Sequence, residues 1–367
     1  MKFIDEYRDP DLIRELLQCI GTTQSRIGRP VTVMEVCGTH TMAVGRFGLR
    51  TLLPAGLRLI SGPGCPVCVT AIEDVDRALY LAEQEGVLFA TFGDMLRVPG
   101  TNGRTMQKLR ADGADVRVVL SPMDALALAE DHPKREAVFM GIGFETTAPA
   151  TASMILRARE KGLDNLSVFS AHKVIPPAMK ALVDDRSLKI DGFLCPGHVS
   201  TIIGSGAYSF LPEKAGASAV ITGFEPVDIL EGLLMILRQI ATGERKVEIQ
   251  YVRAVSPEGN PRAVAVMEKV FEPGPARWRG LGDMAGSGLL IRASYGSLDA
   301  SRRFIFPAMT SEEIRGCSCG AILRGAKQPP QCPLFRIRCT PRNPLGPCMV
   351  SSEGTCAAYY RYGGETS

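Results

Sequence analysis

The feature that most constrains this chain is a repeated alternation of short β-rich runs with amphipathic helical stretches. "VTVMEV" (31–36), "LRLISG" (57–62), "VLFATF" (87–92) and "VRVVLS" (116–121) read as strands, with a helix over 71–85 closed by Gly86. The rhythm then repeats. "EAVFMGI" (136–142), "LSVFSA" (166–171), "DGFLC" (191–195) and "SAVITGF" (218–224) read as strands, with helices over 151–162 and 228–243. Alternation of this kind implies parallel sheets joined by crossover helices, an α/β fold. A further helix is expected over 11–20, ended by Gly21. After about 244 the pattern changes: 246–255 and 263–271 read as antiparallel strands around a Pro/Gly turn. The expected organisation is an α/β domain over 31–122, a second, similar one over 123–243, and a third domain made of 1–30 and 244–367.

The chain has 367 residues, 45% hydrophobic and 22% charged, which suits a globular protein of two or three domains. A net charge of +3, with no basic block, gives no footprint for nucleic acid. No apolar run approaches the length of about 20 residues that crosses a bilayer, so no membrane role is expected. The acidic N-terminus lacks a signal-peptide pattern, and the expected location is the cytoplasm.

Eleven cysteines are many for such a location, and six of them fall between Cys317 and Cys356. In a reducing compartment they point to metal ligation or redox chemistry rather than to structural disulfides. The Pro/Gly-rich tail that carries them has little apolar surface to bury, so a metal centre is the natural means of holding it. Cys317, Cys332, Cys339 and Cys356 are separated by 14, 6 and 16 residues. Four such thiolates suit an iron–sulfur cluster or a zinc ion, and the spacing is that of neither bacterial nor plant-type ferredoxins. Cys319 and Cys348 are left over, and either could replace one of the four. Cys19 reads as a small buried hydrophobe, and Cys195 is ambiguous.

In open α/β sheets ligands bind beyond the carboxyl ends of strands. That rule selects Cys37 and His40 after the first strand, Cys65 and Cys68 after the second, and Glu145, His172 and His198 after later ones. Cys65-Pro-Val-Cys68 precedes a helix, with Thr70 and Glu73 spaced as a capping box. The partial positive charge of a helix N-terminus favours a thiolate, so the pair reads as a redox dithiol. A zinc knuckle would need a second Cys-x-x-Cys, and the chain has none. Cys37 with His40 reads either as a core cysteine beside a surface histidine or as a soft pair for low-valent iron or copper.

"EVCGTH", "SGPGCPVCVT", "GFETTAPATA", "CPGHVSTIIG" and "GPCMVSSEGTCAAYYRY" together resemble the hydrogenase maturation factor family HypD. The resemblance spans nearly the whole chain. It implies two similar α/β domains plus a third that carries a [4Fe–4S] cluster on Cys317, Cys332, Cys339 and Cys356. It further implies that the iron of the Fe(CN)2CO unit of [NiFe]-hydrogenases is held on Cys37, between this chain and a HypC-type chaperone. A HypE-type partner would donate cyanide, and Cys65 and Cys68 would be the redox-active pair. His40, His198 and Glu145 are then expected around the iron, donating hydrogen bonds or moving protons. Two other readings stay open: a stand-alone iron–sulfur thiol/disulfide oxidoreductase, and a zinc-stabilised scaffold.

Overall fold

The computed structural model describes residues 5–363. The eight strands expected through residue 224 form two parallel sheets, and the stretch 246–255, expected as an antiparallel strand, instead adds a three-residue parallel strand to the edge of one of them. The first sheet has the order β2-β1-β7-β8-β9, with β1 Val31–Glu35, β2 Leu57–Ser61, β7 Gly192–Pro196, β8 Ser218–Thr222 and β9 Val247–Ile249. The second has the order β4-β3-β5-β6, with β3 Val87–Thr91, β4 Val116–Val118, β5 Glu136–Gly141 and β6 Leu166–Ser170. Every neighbouring pair in both sheets is parallel. All five residues of β3 and of β8 are buried, as strands covered on both faces require.

The strands do not pair in consecutive sections. The chain lays down β1 and β2, builds the whole second sheet, and returns to place β7 against β1. The register Glu35↔Leu194 sets the "EVCGTH" and "CPGH" motifs side by side, although about 160 residues separate them.

The N-terminal helix runs from Pro10 to Ile27, straight through Gly21, and ends at Gly28 in the left-handed conformation. Its buried Leu16 and Ile20 share a core with Leu230, Leu233 and Leu237 of the helix Pro226–Thr242. Residues 10–27 thus cover the first sheet rather than the cysteine-rich tail. Burying each such side chain contributes about 1.5–3 kcal/mol. Cys19, at the flank of that buried stripe, is exposed, contrary to its reading as a core residue.

The stretch 263–271 is also corrected. Residues Pro261–Val270 are a helix, because Asn260 accepts from the Ala263 amide and Pro261 supplies a preset first turn. The antiparallel hairpin lies just beyond, as β10 Phe271–Trp278 and β11 Gly282–Ile291. Trp278 is buried there, donates to Ser287 Oγ, and stacks on Phe144 with the ring centroids 5.9 Å apart. Among the described residues no helix is long and apolar enough to cross a membrane.

Candidate metal and redox centre

β1 delivers Cys37 in extended conformation to the start of the helix Gly38–Arg46. Beneath it lies Glu35, a fully buried carboxyl that accepts from Thr41 Oγ1 at 2.7 Å and from the Cys37 amide at 3.4 Å, with Arg50 Nη2 at 3.7 Å. Burial lifts this carboxyl to about 7 against the pull of Arg50. The Cys37 thiol is pushed up to about 12, first by burial and then by the Glu353 carboxylate. A thiol so placed keeps its proton at neutral pH until a metal cation displaces it. The tail closes over this corner. Thr39 Oγ1 donates to Glu353 Oε1 at 2.8 Å, and Gly38 leaves no room for a side chain, since a Cβ there would lie 2.5 Å from the Cβ of Glu353.

His40 is fully buried, and desolvation lowers it to about 4. Its Nε2 donates to Gly223 O at 2.9 Å and lies 3.0 Å from Thr222 Oγ1. With the proton fixed on Nε2, Nδ1 is a bare acceptor, and it has no partner. His40 packs on Phe224 with centroids 4.7 Å apart, and the exposed His198 stacks on the same ring at 4.0 Å. The two histidines expected near the iron are therefore brought together across one phenyl ring.

β2 ends beside β1, and its loop folds against Cys37. The Gly38 amide donates to Gly64 O at 3.0 Å, and a Cβ on Gly64 would lie 2.2 Å from the Cys37 nitrogen. Cys65 and Cys68 follow as a closed disulfide, both buried, with Cys65 Sγ accepting from the Cys68 amide at 3.2 Å. The expected capping box does not form. Cys68 sits in a separate one-turn helix, Pro66–Val69, and Thr70 turns back to donate to Pro66 O; the next helix starts at Ile72 with Ala71 as its cap. On the far side Cys68 Sγ lies 3.9 Å from Pro347 O, so the disulfide touches the cysteine-rich tail.

In the tail, Cys317, Cys319, Cys332, Cys339, Cys348 and Cys356 line one small cavity whose other walls include Ile322, Leu334 and Phe335. Thiol contacts run from Cys317 to Cys319, on to Cys348, and on to Cys356. The Leu345 amide donates to Cys339 Sγ at 3.4 Å, and a Cβ on Gly346 would crowd the sulfurs of Cys317 and Cys319 at 3.0 and 3.2 Å. Among the described residues no three His, Cys, Asp or Glu side chains close on one point, as a single ion requires. The donor set around this apolar hollow is sulfur alone, the ligand type that soft metal centres take.

Glu145 and His172 belong to the second sheet. Glu145 Oε1 accepts from the Ile175 amide at 3.0 Å, Oε2 has no partner, and burial lifts the carboxyl to about 7. His172, lowered to about 3 by burial, is held by Thr151 Oγ1 and Ser170 Oγ, each at 3.3 Å. These bonds hold both groups beside the second sheet, while Glu145 and Cys37 both bear on the buried Tyr208 hydroxyl. Sequence reasoning missed Glu35, Thr39 and Glu353. A glutamate inside the apolar run "VTVMEV" was a usable signal for the first; the others owe their place to contacts across the fold.

A family model named HypD and described as "Hydrogenase formation hypA family" matches residues 11–363. The chain is 48% identical to the hydrogenase maturation factor HypD of Azotobacter vinelandii over 369 residues, covering 99% of this chain and 97% of the relative. It is 47% identical to HypD of Rhodobacter capsulatus over 373 residues, covering 99% of each, and 42% identical to HypD of Escherichia coli K12 over 368 residues, covering 99% and 98%.

Proposed function

The chain belongs to the HypD family of hydrogenase maturation factors, and from that premise we propose that it is the scaffold on which the Fe(CN)2CO group is assembled, together with a HypC-type chaperone. The observation that carries this reading is the contact of three sulfur sites. The Gly64 carbonyl holds the Gly38 amide next to Cys37, and Cys68 Sγ touches Pro347 O, one residue from Cys348.

In this reading the substrate iron is bound by Cys37 as thiolate, shared with a cysteine of the chaperone. Glu353, held by Thr39, and the bare Nδ1 of His40 are placed to exchange protons or hydrogen bonds around it. Cyanide arrives as a thiocyanate on a HypE-type partner. Its release as cyanide takes two electrons and one proton and leaves a thiol. The Cys65/Cys68 dithiol, closing to the disulfide, gives up two electrons and two protons. The second proton is left for a buried carboxyl, and Glu35, lifted to about 7, is suited to hold it. A [4Fe–4S] cluster on Cys317, Cys332, Cys339 and Cys356 supplies single electrons when bound.

The test is infrared spectroscopy of the anaerobically purified complex with the chaperone. Cys37→Ala should abolish the cyanide and CO bands; bands that persist unchanged overturn the iron assignment. Cys332→Ala should bleach the brown absorbance, and a variant with full absorbance removes Cys332 from the ligand set.

A further inference from the structure

The charge of the tail is one-sided. Residues 314–352 hold six Arg or Lys and no Asp or Glu, in a chain whose net charge is only +3, so the rest of it sums to −3. Arg324 faces Asp185 at 3.7 Å, and Arg336 turns inward to the carbonyls of Tyr359, Tyr360 and Gly363. Arg315, Lys327, Arg338 and Arg342 are exposed and make no ion pair among the described residues. Glu313, the last carboxylate before the stretch, is engaged by Arg279.

Three of these arginines gather over the cysteine cavity. Leu334 and Phe335 are part of its wall, and the chain then reverses in a tight turn. Arg336 takes a left-handed backbone with φ 61°, and the amides of Arg338 and Cys339 both donate to Leu334 O, at 3.1 and 2.8 Å. The tip of the turn faces outward, with Ile337 78% exposed beside the exposed Arg338. Asn343 Nδ2 donates to Arg338 O at 3.1 Å and so draws in the next turn, which carries Arg342. Arg315 joins through its neighbour Gly316, which lies against Leu334 and has its carbonyl 3.9 Å from Cys332 Sγ. Cys317 follows, and it alone of the six cavity cysteines is half-buried rather than buried, so the cavity comes nearest to solvent within this basic rim.

An exposed apolar tip ringed by unpaired arginines suits a small docking surface for a protein of opposite charge. Arginine is favoured at interfaces, and complementary charge steers transient encounters. We propose that this surface docks an acidic one-electron carrier protein that feeds the cysteine cavity. The inference rests on the reading of that cavity as an iron–sulfur site. At each encounter the carrier is oxidised by one electron and the cavity site is reduced by one. Two encounters, with two protons from water, supply what the Cys65/Cys68 disulfide takes up in opening to the dithiol. Redox encounters of this kind bury less than about 1,200 Å² and are weak, which suits a donor that must be exchanged before the second electron arrives.

The full-length holoprotein, purified without oxygen, is titrated calorimetrically with a plant-type [2Fe–2S] ferredoxin as the acidic carrier and a c-type cytochrome as a basic one. The ferredoxin should bind and the cytochrome should not. Ferredoxin binding should weaken at least about tenfold as ionic strength rises from about 10 to about 150 mM and the Debye length falls from about 30 to about 8 Å. At about 100 mM, Arg338→Glu with Arg342→Glu should weaken it about tenfold, as two surface attractions turned into repulsions imply. Arg26→Glu with Arg262→Glu, exposed on the helices Pro10–Ile27 and Pro261–Val270, makes the same change in net charge and should leave the affinity within about twofold. Ile337→Ala should weaken binding about threefold at every salt concentration, because apolar burial is not screened. A brown holoprotein that does not bind the ferredoxin, or one that loses affinity equally in the two double variants, overturns the docking site. Tighter binding of a single-stranded oligonucleotide at the same salt also overturns it, in favour of a nucleic-acid surface. Should the Arg338/Arg342 variant fail to fold, Arg315→Gln and Ile337→Ala decide, and unchanged affinity in both refutes the site. A holoprotein without iron–sulfur absorbance would instead refute the reading of the cavity, and the inference with it.

Discussion

Replacing Gly64 with alanine tests the convergence on which the proposed chemistry depends. Gly64 has no left-handed backbone, so conformational freedom is not why glycine stands there. Space is the reason: an added Cβ would meet the Cys37 nitrogen at 2.2 Å, the Cys37 Cα at 2.4 Å and the Val36 carbonyl carbon at 2.6 Å. All three are backbone atoms of the neighbouring strand end, and no rotamer change can move them. Relief requires the disulfide loop to lift away from Cys37. Overpacking of this kind costs about 1–3 kcal/mol. The bond from the Gly38 amide to Gly64 O goes with it, at about 1 kcal/mol. Loss of unfolded-state freedom returns at most about 1 kcal/mol. A net loss of about 2–3 kcal/mol is expected, and an unfolding entropy of about 2.1 cal/mol/K per residue converts it to a melting temperature lower by about 3–4 °C. Scanning calorimetry reads the difference. Gly21→Ala is the control, because a Cβ there has no atom within 4 Å and lies inside a helix; it should raise stability by up to about 1 kcal/mol. A Gly64→Ala protein that melts at or above the wild type refutes the close approach of the two loops.

Glu145 gives a pH prediction. Its carboxyl is lifted from the ordinary 4.5 to about 7 by burial, so the proton is held more tightly in the folded than in the unfolded chain. The stability this contributes is fully present below about pH 4.5 and is lost as pH rises through about 7, to a total of about 3 kcal/mol. Glu145→Gln should remove that dependence, so urea unfolding at pH 5 and pH 8 should show the variant gaining on the wild type at the higher pH; parallel curves contradict the assignment. Arg253→Ala should cost about 3 kcal/mol or more, since Asp228 is fully buried and takes two hydrogen bonds from that guanidinium, at 2.7 and 2.5 Å. Asp228→Asn combined with Arg253→Ala should recover part of the loss, and a double variant no better than Arg253→Ala speaks against a stranded charge.

The strands through β8 were legible because each is a short apolar run bounded by Gly, Pro or polar residues. Their pairing was not: nothing local in "VTVMEV" says that its neighbour is "GFLC" rather than "VLFATF". The helix Pro261–Val270 was misread as a strand because "AVAVMEKVF" is rich in β-branched residues, whereas Asn260-Pro261 at its start decided the outcome. The Thr70–Glu73 spacing misled in the opposite way. The following helix starts one residue later than that spacing requires, at Ile72 with Ala71 as its cap, and the Thr70 hydroxyl donates back to Pro66 O instead. The cysteine spacing in the tail was legible as a site, but that all six sulfurs share one cavity follows only from the packing of 316–356 on itself.

The strand order also explains why some predicted residues meet and others do not. Read across the first sheet, β2, β1, β7 and β8 lead into the Cys65–Cys68 loop, Cys37 with His40, His198, and Phe224. Adjacent strands are about 4.8 Å apart, so four motifs far apart in the sequence emerge from one sheet edge as close neighbours. Glu145 and His172 follow β5 and β6 of the other sheet and share no such ladder with Cys37. What the ladder cannot supply is the third sulfur site, which lies outside both sheets. The tail reaches it by docking Glu353 on Gly38 and Thr39, Tyr362 on Gly45, and Tyr359 under the Arg50 guanidinium that also faces Glu35. Arg336 in turn binds the last carbonyls of that tail helix, at Tyr359, Tyr360 and Gly363. The helix Thr355–Tyr362 is therefore clamped at one end to the helix Gly38–Arg46 and at the other to the cysteine cavity through Cys356. Any movement of the cavity relative to Cys37 must break one of these clamps first, so the spacing of the sulfur sites is a property of the whole fold rather than of any one motif.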